Sequence, residues 1–384
     1  MESDVNSGRT PNLTLVVNAG SSSLKLAAFD SAGAPAGRTA GGPAEFELLR
    51  SFVARLGAPR LAAVAHRVVH GGHYRAPVLV DEAVIREIGR LAPFAPLHNP
   101  PALEAIRACE ALLGAKTPQV AVFDTAFFAD LPAAARSYAI PRVLAEEFGL
   151  RRYGFHGIAH ASMWRAWQRA AGRDSGRMIS LQLGAGCSMA AVCDGRALDT
   201  SMGFSPLEGL VMATRCGDID AGVLFYLQRA LGWPAAKVEQ MLNRESGLLG
   251  VSGATGDMRA LLESNDPQAR FAIDLFCYRA RQYVGAYLAV LGGADAVVFG
   301  GGIGENAPLV RERILEGLEW AGLRIDLDRN RAANAAPGTA IRIDGPIPDC
   351  GERCGQIGIW VAAVSEEEII AREAAGVLKG TRNA

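Results

Sequence analysis

The chain has 384 residues, 49% of them hydrophobic and 21% charged, which is ordinary for a globular protein and long enough to predict two domains rather than one core. A formal net charge of −1 removes any electrostatic case for nucleic acid or an anionic membrane as partner, so positive potential has to be local to a site. No apolar run reaches the length of a membrane span, and the opening MESDVNSGRT lacks the apolar core of a signal peptide, which points to a soluble, cytoplasmic protein.

In chain order, Leu13, Leu15, Val16 and Val17 form an apolar run, and Leu24 to Phe29 form a second. Between them lie Gly20 and three serines, so the two runs predict a hairpin with a small, hydroxyl-rich tip, closed by Lys25. Such a tip lets backbone N–H groups and hydroxyls approach a phosphate, although a lone turn of this kind is more often an ordinary polar hairpin. Further strands are predicted at 61–69, 119–123, 178–183, 189–193 and 296–299. Helices are predicted at 82–91, 102–113, 160–170, 218–231, 268–291 and 309–321. This alternation predicts an α/β protein. Sliding the chain by 164 residues lays VVNAGSSSLKLAAFD on SLQLGAGCSMAAVCD, with Gly20 on Gly184, Ala27 on Ala191 and Asp30 on Asp194. Two phosphate-compatible hairpins half a chain apart predict two similar domains facing each other across a cleft. Seven scattered cysteines (109, 187, 193, 216, 277, 350 and 354) read as reduced thiols; Cys350 and Cys354 have no nearby histidine to complete a zinc site.

The third glycine-rich segment, AVVFGGGIGEN at 296–306, fits a dinucleotide-binding fingerprint poorly, because Glu305 and Ala307 stand where a third glycine is needed. It reads better as a glycine platform for a flat base or ribose, with Glu305 and Asn306 within reach. Four clusters carry groups suited to phosphate and carboxylate. Arg67 closes an apolar strand before Gly71 and Gly72, and Asp124 ends the strand at 119–123, a common place for a working carboxylate in α/β folds. His156 stands between Gly154 and Gly157; His160 follows one turn later, but no HExxH carboxylate supports a metal pair. Arg215 precedes a predicted helix that opens on Asp218 and Asp220, which complement its dipole.

Taken in order, NAGSSSLK (18–25), HRVVHGG (66–72), APLHNPP (95–101), FDT (123–125), YGFHG (153–157), TSMGFSPLEG (200–209), TRCGDID (214–220) and GGIGEN (301–306) resemble the acetate kinase family, within the acetate and sugar kinase, Hsp70 and actin superfamily. The resemblance covers residues 13–372. It implies two RNase H-like domains, at 11–150 on the acyl side and 151–367 on the nucleotide side, with a C-terminal helix at 368–384 packing back on the first. The implied reaction is reversible, Mg²⁺- or Mn²⁺-dependent phosphoryl transfer from ATP to acetate, giving acetyl phosphate and ADP, in a homodimer. By resemblance, Arg67 binds the carboxylate, Asp124 is the essential carboxylate, and His156 and Arg215 stabilise the transferring phosphoryl. Asn18 and Glu366 place the metal. Lys25, Gln182, Leu183, Gly184, Ala185, Gly186, Asp257, Met258, Arg259, Gly301, Gly302, Ile303, Gly304 and Glu305 hold the nucleotide, and Val69, Leu97, Phe155 and Pro206 line the acyl pocket.

The chain departs from the family pattern at Gln182 and Ala185, where the second phosphate turn usually carries histidine and asparagine. It departs again at Cys216 and Ala221, where serine and proline are usual. These changes bear on the phosphate donor rather than on the reaction class. Two alternatives stay open: a kinase of this family acting on propionate, butyrate or pyrophosphate, and a non-catalytic nucleotide-sensing clamp of the Hsp70 or actin type. A clamp has no use for Arg67, His156 and Arg215 together.

Overall fold

Two six-stranded sheets of the same topology organise the chain. The structure is a computed structural model and describes residues 13–20, 23–43, 45–346 and 356–382; Ser21, Ser22, Cys350 and Cys354 lie outside these. The first sheet holds β1 (Leu13–Ala19), β2 (Leu24–Phe29), β3 (Pro35–Gly41), β4 (Leu61–Val68), β5 (Val78–Leu79) and β6 (Gln119–Phe123), in the order β3-β2-β1-β4-β6-β5. The second holds β7 (Arg177–Leu183), β8 (Cys187–Cys193), β9 (Arg196–Thr200), β10 (Ala296–Gly300), β11 (Ala340–Arg342) and β12 (Gly358–Ala362), in the order β9-β8-β7-β10-β12-β11. In each sheet the two central pairs are parallel and the flanking pairs antiparallel.

The 164-residue echo is thus a repeat of architecture, with one adjustment. Ala19 pairs with Leu24 across a four-residue tip, whereas Leu183 pairs with Cys187 across a three-residue tip. The ungapped match is correct for β7 and one residue out for β8. Both tips close on themselves, through Gly20 N–H to Ser23 O at 2.9 Å and Gly184 N–H to Gly186 O at 3.2 Å.

The chain divides into two compact units, one running to Ala129 and resuming at Glu366, the other running from Asp130 to Ser365. In the first, alternate residues of β1 (Leu13, Leu15, Val17) pack with Leu49, Phe52 and Val53 of the helix Phe46–Leu56 and with Ala105 and Cys109 of the helix Asn99–Leu113. Val16 is buried as well, so both faces of this sheet are covered, and the helix Glu366–Arg382 packs on β1, β2, β4 and β6. In the second unit, β10 and β12 are buried throughout, with the helix Gly157–Ala171 on β7, β10, β11 and β12 and the helix Pro267–Leu291 on β7, β8 and β9.

Several bounds differ from the sequence expectation, each for a local reason. The boundary falls at 129/130 rather than 150/151 because residues 130–150 are bonded into the second unit: Ser137 bridges Arg151, Arg152 N–H donates to Arg136 O, and Tyr138 hydrogen-bonds Glu208. Glu366 begins the C-terminal helix of the first unit instead of closing the second. The helix expected at 102 starts at Asn99, because Pro100 and Pro101 fit a first turn that needs no N–H donors. The helix expected at 218 starts at Ala221, where Asp220 caps the Gly222 N–H at 2.7 Å. The helix expected to reach 321 stops at Leu315, before Gly317 at φ 78°.

Cys109, Cys187, Cys193, Cys216 and Cys277 are free thiols, and burial pushes Cys109, Cys187 and Cys277 up to about 12. Among the described residues no helix is long and apolar enough to cross a membrane. His66 on β4 and His160 on the helix Gly157–Ala171 are fully buried, and burial lowers their pKa values to about 4 and about 3. Both therefore bind protons less readily folded than unfolded. Their contribution to stability is complete above about pH 6.5 and is lost as the pH falls toward 4, by roughly 3 kcal/mol or more for each. Denaturant midpoints should fall steeply between pH 6.5 and 4, and a flat profile would contradict this burial.

Candidate active site

In the first unit, three parallel strands end at one edge of the sheet, where α/β folds place ligands. Asn18 sits near the end of β1, Arg67 near the end of β4, and Asp124 directly after β6. Glu366, the first residue of the C-terminal helix, joins them. The Arg67 guanidinium donates to Asp124 Oδ2 from Nη2 at 2.7 Å and Nε at 3.1 Å, and from Nη1 to Asn18 Oδ1 and Glu366 Oε2, both at 3.3 Å. Asn18 Nδ2 donates to the same Glu366 oxygen at 2.8 Å.

Of the five guanidinium N–H groups, four are thus committed and one on Nη2 is left over. Asp124 is fully buried. Burial works against the charge on Arg67, but Asp124 and Glu366 outweigh it and the arginine pKa rises. Two carboxylates against one guanidinium leave the cluster with one negative charge, and all its acceptors are oxygens. That donor set suits a hard divalent cation.

The loop that follows Arg67 is fixed from two sides. Asn99 Oδ1 accepts from His70 N–H at 3.1 Å, and its Nδ2 donates to His70 O at 3.0 Å, which accounts for the buried asparagine of APLHNPP. Gly71 has to be glycine, since a Cβ there would lie 2.6 Å from the Phe123 ring. Val69 is buried at this edge, whereas Leu97 is 39% exposed. Lys25 is exposed on β2 and pairs with Asn18 in the strand register.

In the second unit, His156 precedes the helix Gly157–Ala171 in the left-handed region, at φ 58°. Among the described residues only His156 and Asp194 do so without being glycine, and a side chain held in this region is characteristic of functional sites. His156 Nδ1 lies 2.9 Å from Ser188 Oγ on β8. The loop bearing Arg215 is tied to the 184–186 turn through Ala213 N–H to Ala185 O at 3.1 Å. Arg215 Nη1 donates to Pro206 O at 2.6 Å. Arg215 forms no ion pair among the described residues, and burial lowers its pKa. A Cβ on Gly186 would lie 3.2 Å from Arg215 Nη2 and 3.4 Å from His156 Nε2. The cation and the imidazole therefore border one gap that glycine keeps open.

Beside this gap the same unit contains a cavity of about 350 Å³, lined by Gly184, Ala185, Gly256, Asp257, Met258, Arg259, Leu262, Gly302, Ile303, Asn306 and Ala307. Asp257 also caps the helix Met258–Glu263. Other residues of the expected nucleotide set stand back from the cavity. Glu305 does not face it: its Oε1 accepts from Gly301 N–H at 3.1 Å and Val364 N–H at 3.0 Å. Residues 301–306 form a helical turn instead of a flat platform, with Gly304 buried. Gln182 lies against Gly301, and its Oε1 finds no partner among the described residues. Leu183 is buried in β7. Asp218 does not serve a helix dipole; it accepts from Gly209 N–H at 2.8 Å and from the Tyr283 hydroxyl at 2.7 Å, which pins the 209–218 loop. Phe155 is buried and Pro206 partly buried in this unit; Val69 and Leu97 belong to the first.

The family model described as the Acetokinase family matches residues 44–347. The chain belongs to this family. An acetate kinase of Chloroherpeton thalassium is 44% identical over 318 residues, 81% of this chain and 74% of its own length. An acetate kinase of Streptomyces coelicolor is 45% identical over 334 residues, 85% of this chain and 79% of its own. Among solved structures, a propionate kinase from Francisella tularensis matches with a TM-score of 0.85 at 34% identity, covering 94% of this chain and 98% of that one. The Porphyromonas gingivalis acetate kinase matches at 0.82 and 33% identity, covering 96% and 100%. The two mixed sheets are the two-domain acetate and sugar kinase fold.

Sequence reasoning missed Ser188, Gly256, Leu262 and Ala307. Ser188 left a signal, as a lone hydroxyl in the otherwise apolar run Cys187-Ser188-Met189-Ala190-Ala191. Gly256 and Leu262 left none, since their loop and short helix acquire a role only through the fold.

Proposed function

We propose that this protein is an acetate kinase, transferring the γ-phosphoryl of ATP to acetate to give acetyl phosphate and ADP, reversibly. The observation that carries the reading is the gap at Gly186, where an arginine without an acid partner meets a histidine held in a strained backbone. Phosphoryl transfer spreads charge over the equatorial oxygens of a loose transition state, so fixed cationic and N–H donors supply most of the catalysis. Arg215 and His156 provide such donors. A carboxylate is already a nucleophile at neutral pH, so no general base is required, and Asp124, locked to Arg67, is a positioning group. The glycine-rich cavity favours a nucleotide donor over pyrophosphate, which has no use for Met258, Leu262 and Ile303.

In this reading Asn18, Asp124 and Glu366 supply the oxygens for Mg²⁺ or Mn²⁺, which when bound would neutralise charge on the ATP phosphates. Arg67 meets the acetate carboxylate with its one uncommitted N–H while holding Asp124 and Glu366 in place. By the family resemblance, Val69, Leu97, Phe155 and Pro206 are the residues that would contact the acyl group. Lys25 is a further ATP-binding residue by the family resemblance. The domains at 11–150 and 151–367 and the helix at 368–384 become, on the observed division, acyl and nucleotide units meeting in sequence at 129/130 and 365/366. A homodimer in the cytoplasm belongs to the same proposal.

The test is trapping of acetyl phosphate as its hydroxamate from ATP, Mg²⁺ and acetate, with pyrophosphate as the control donor. Product from ATP supports the reading, and product from pyrophosphate alone rejects it. Run across carboxylates, the assay should give kcat/KM in the order acetate, propionate, butyrate. Each methylene should change it by roughly 1–3 kcal/mol, so propionate stays usable. Equal values for acetate and butyrate would show a deeper pocket than Val69 allows.

A further inference from the structure

His156 is the outermost member of a chain of buried polar groups. His160, one helical turn on, places Nε2 2.9 Å from the same Ser188 hydroxyl and Nδ1 2.7 Å from Ser180 Oγ on β7. Ser180, Ser188 and His160 are completely buried, and most of the buried side chains around them in these strands and this helix are apolar. A core can satisfy these positions with alanine or leucine, and buried polar groups are costly unless each is bonded. Here each one is bonded to the next.

Proton counting assigns a direction to the chain. Each serine hydroxyl has one proton to donate and each neutral imidazole one N–H, so fixing the donor at one contact fixes it at the next. The Ser180 hydroxyl has two acceptors, His160 Nδ1 at 2.7 Å and Ala190 O at 3.4 Å, and donates to the nearer. His160 then carries its proton on Nε2 and donates it to Ser188 Oγ. The Ser188 hydroxyl, having accepted from His160, donates to His156 Nδ1. Burial keeps His160 neutral, with a pKa lowered to about 3, so its ring carries the single proton that this direction requires.

We propose that Ser180, His160 and Ser188 form a relay that orients His156 and leaves its proton on Nε2, the nitrogen bordering the Gly186 gap. His156 then offers an N–H to a phosphoryl oxygen while uncharged, and His160 and Ser188 are positioning residues acting through it. The inference rests on the proposed role of His156 in phosphoryl transfer, and deepens it.

Two measurements test it. Ser188→Ala should lower kcat about tenfold, the worth of one hydrogen bond, with the KM for ATP and acetate nearly unchanged. Ser188→Thr, which keeps the hydroxyl, should restore most of the loss, and also serves if the alanine variant folds poorly. In a His156→Ala background, Ser188→Ala should cost nothing further, because its effect passes through the missing ring. Equal losses in both backgrounds, or an unchanged kcat in the wild-type background, would overturn the relay. The second measurement does not depend on activity. With six histidines in the chain, ¹⁵N imidazole spectra can be assigned by loss of the His156 signal in His156→Ala. Neutral His156 should show a protonated Nε2 in the wild type and a tautomer mixture in Ser188→Ala. A wild-type proton on Nδ1 refutes the relay, whereas a correct tautomer in a protein that forms no acetyl phosphate would refute the kinase reading instead.

Discussion

Arg215→Ala and His156→Ala should each lower kcat by about 10² to 10³, with the KM for ATP and acetate moving only a few-fold. Both donors border the gap at Gly186 and are aimed at charge that develops only during transfer. Arg215 adds a second expectation. It is a partly buried cation with one carbonyl contact and no ion pair among the described residues, so its removal relieves a desolvation cost and breaks no pair. Arg215→Ala should therefore melt no lower than the wild type while losing nearly all turnover. Turnover near that of the wild type in either variant would remove that residue from the mechanism. A large drop in melting temperature for Arg215→Ala would assign the arginine to the fold instead.

Arg67→Ala should behave in the opposite way. Asp124 is fully buried and takes two hydrogen bonds from this guanidinium, so deleting the arginine removes the cation that faces a buried carboxylate. Breaking a buried pair from one side costs about 3 to 5 kcal/mol, and the 15% exposure of the Arg67 side chain places the expectation at the lower end, about 3 kcal/mol. Denaturant midpoints should show this loss, and activity should fall with a raised KM for acetate. Adding Asp124→Asn to Arg67→Ala removes that carboxylate's charge and should recover most of the stability without recovering activity. If Arg67→Ala unfolds like the wild type, the pair does not bear on stability. If only the nucleotide KM moves, Arg67 does not meet the carboxylate.

The hairpins and central strands were legible because their apolar runs are short, dense and bounded by glycine, which fixes both type and limits. The repeat was legible too, since the 164-residue offset carries Gly20 to Gly184 and Asp30 to Asp194. The one-residue difference between the tips was not, because an ungapped match cannot register a shorter turn. Candidate residues could be named from the sequence, but their bonding could not. Arg67 and Asp124 are 57 residues apart and meet only through the parallel register of β4 and β6. Glu305 is similar: its place in a glycine-rich turn suggested a ligand contact, and the bonds from Gly301 and Val364 N–H to its Oε1 could not be read from the sequence. The domain boundary was misplaced for a similar reason, since residues 130–150 show their allegiance only through long-range bonds such as that of Tyr138 to Glu208.

The central claim is that the γ-phosphoryl of ATP passes to a carboxylate rather than to water. The most direct measurement follows ³¹P resonances in a mixture of the protein, ATP, Mg²⁺ and acetate. The γ-phosphorus signal should disappear as those of acetyl phosphate and ADP grow together, and acetyl phosphate with ADP should regenerate ATP. Release of inorganic phosphate from ATP with no acetyl phosphate at any time would contradict that claim.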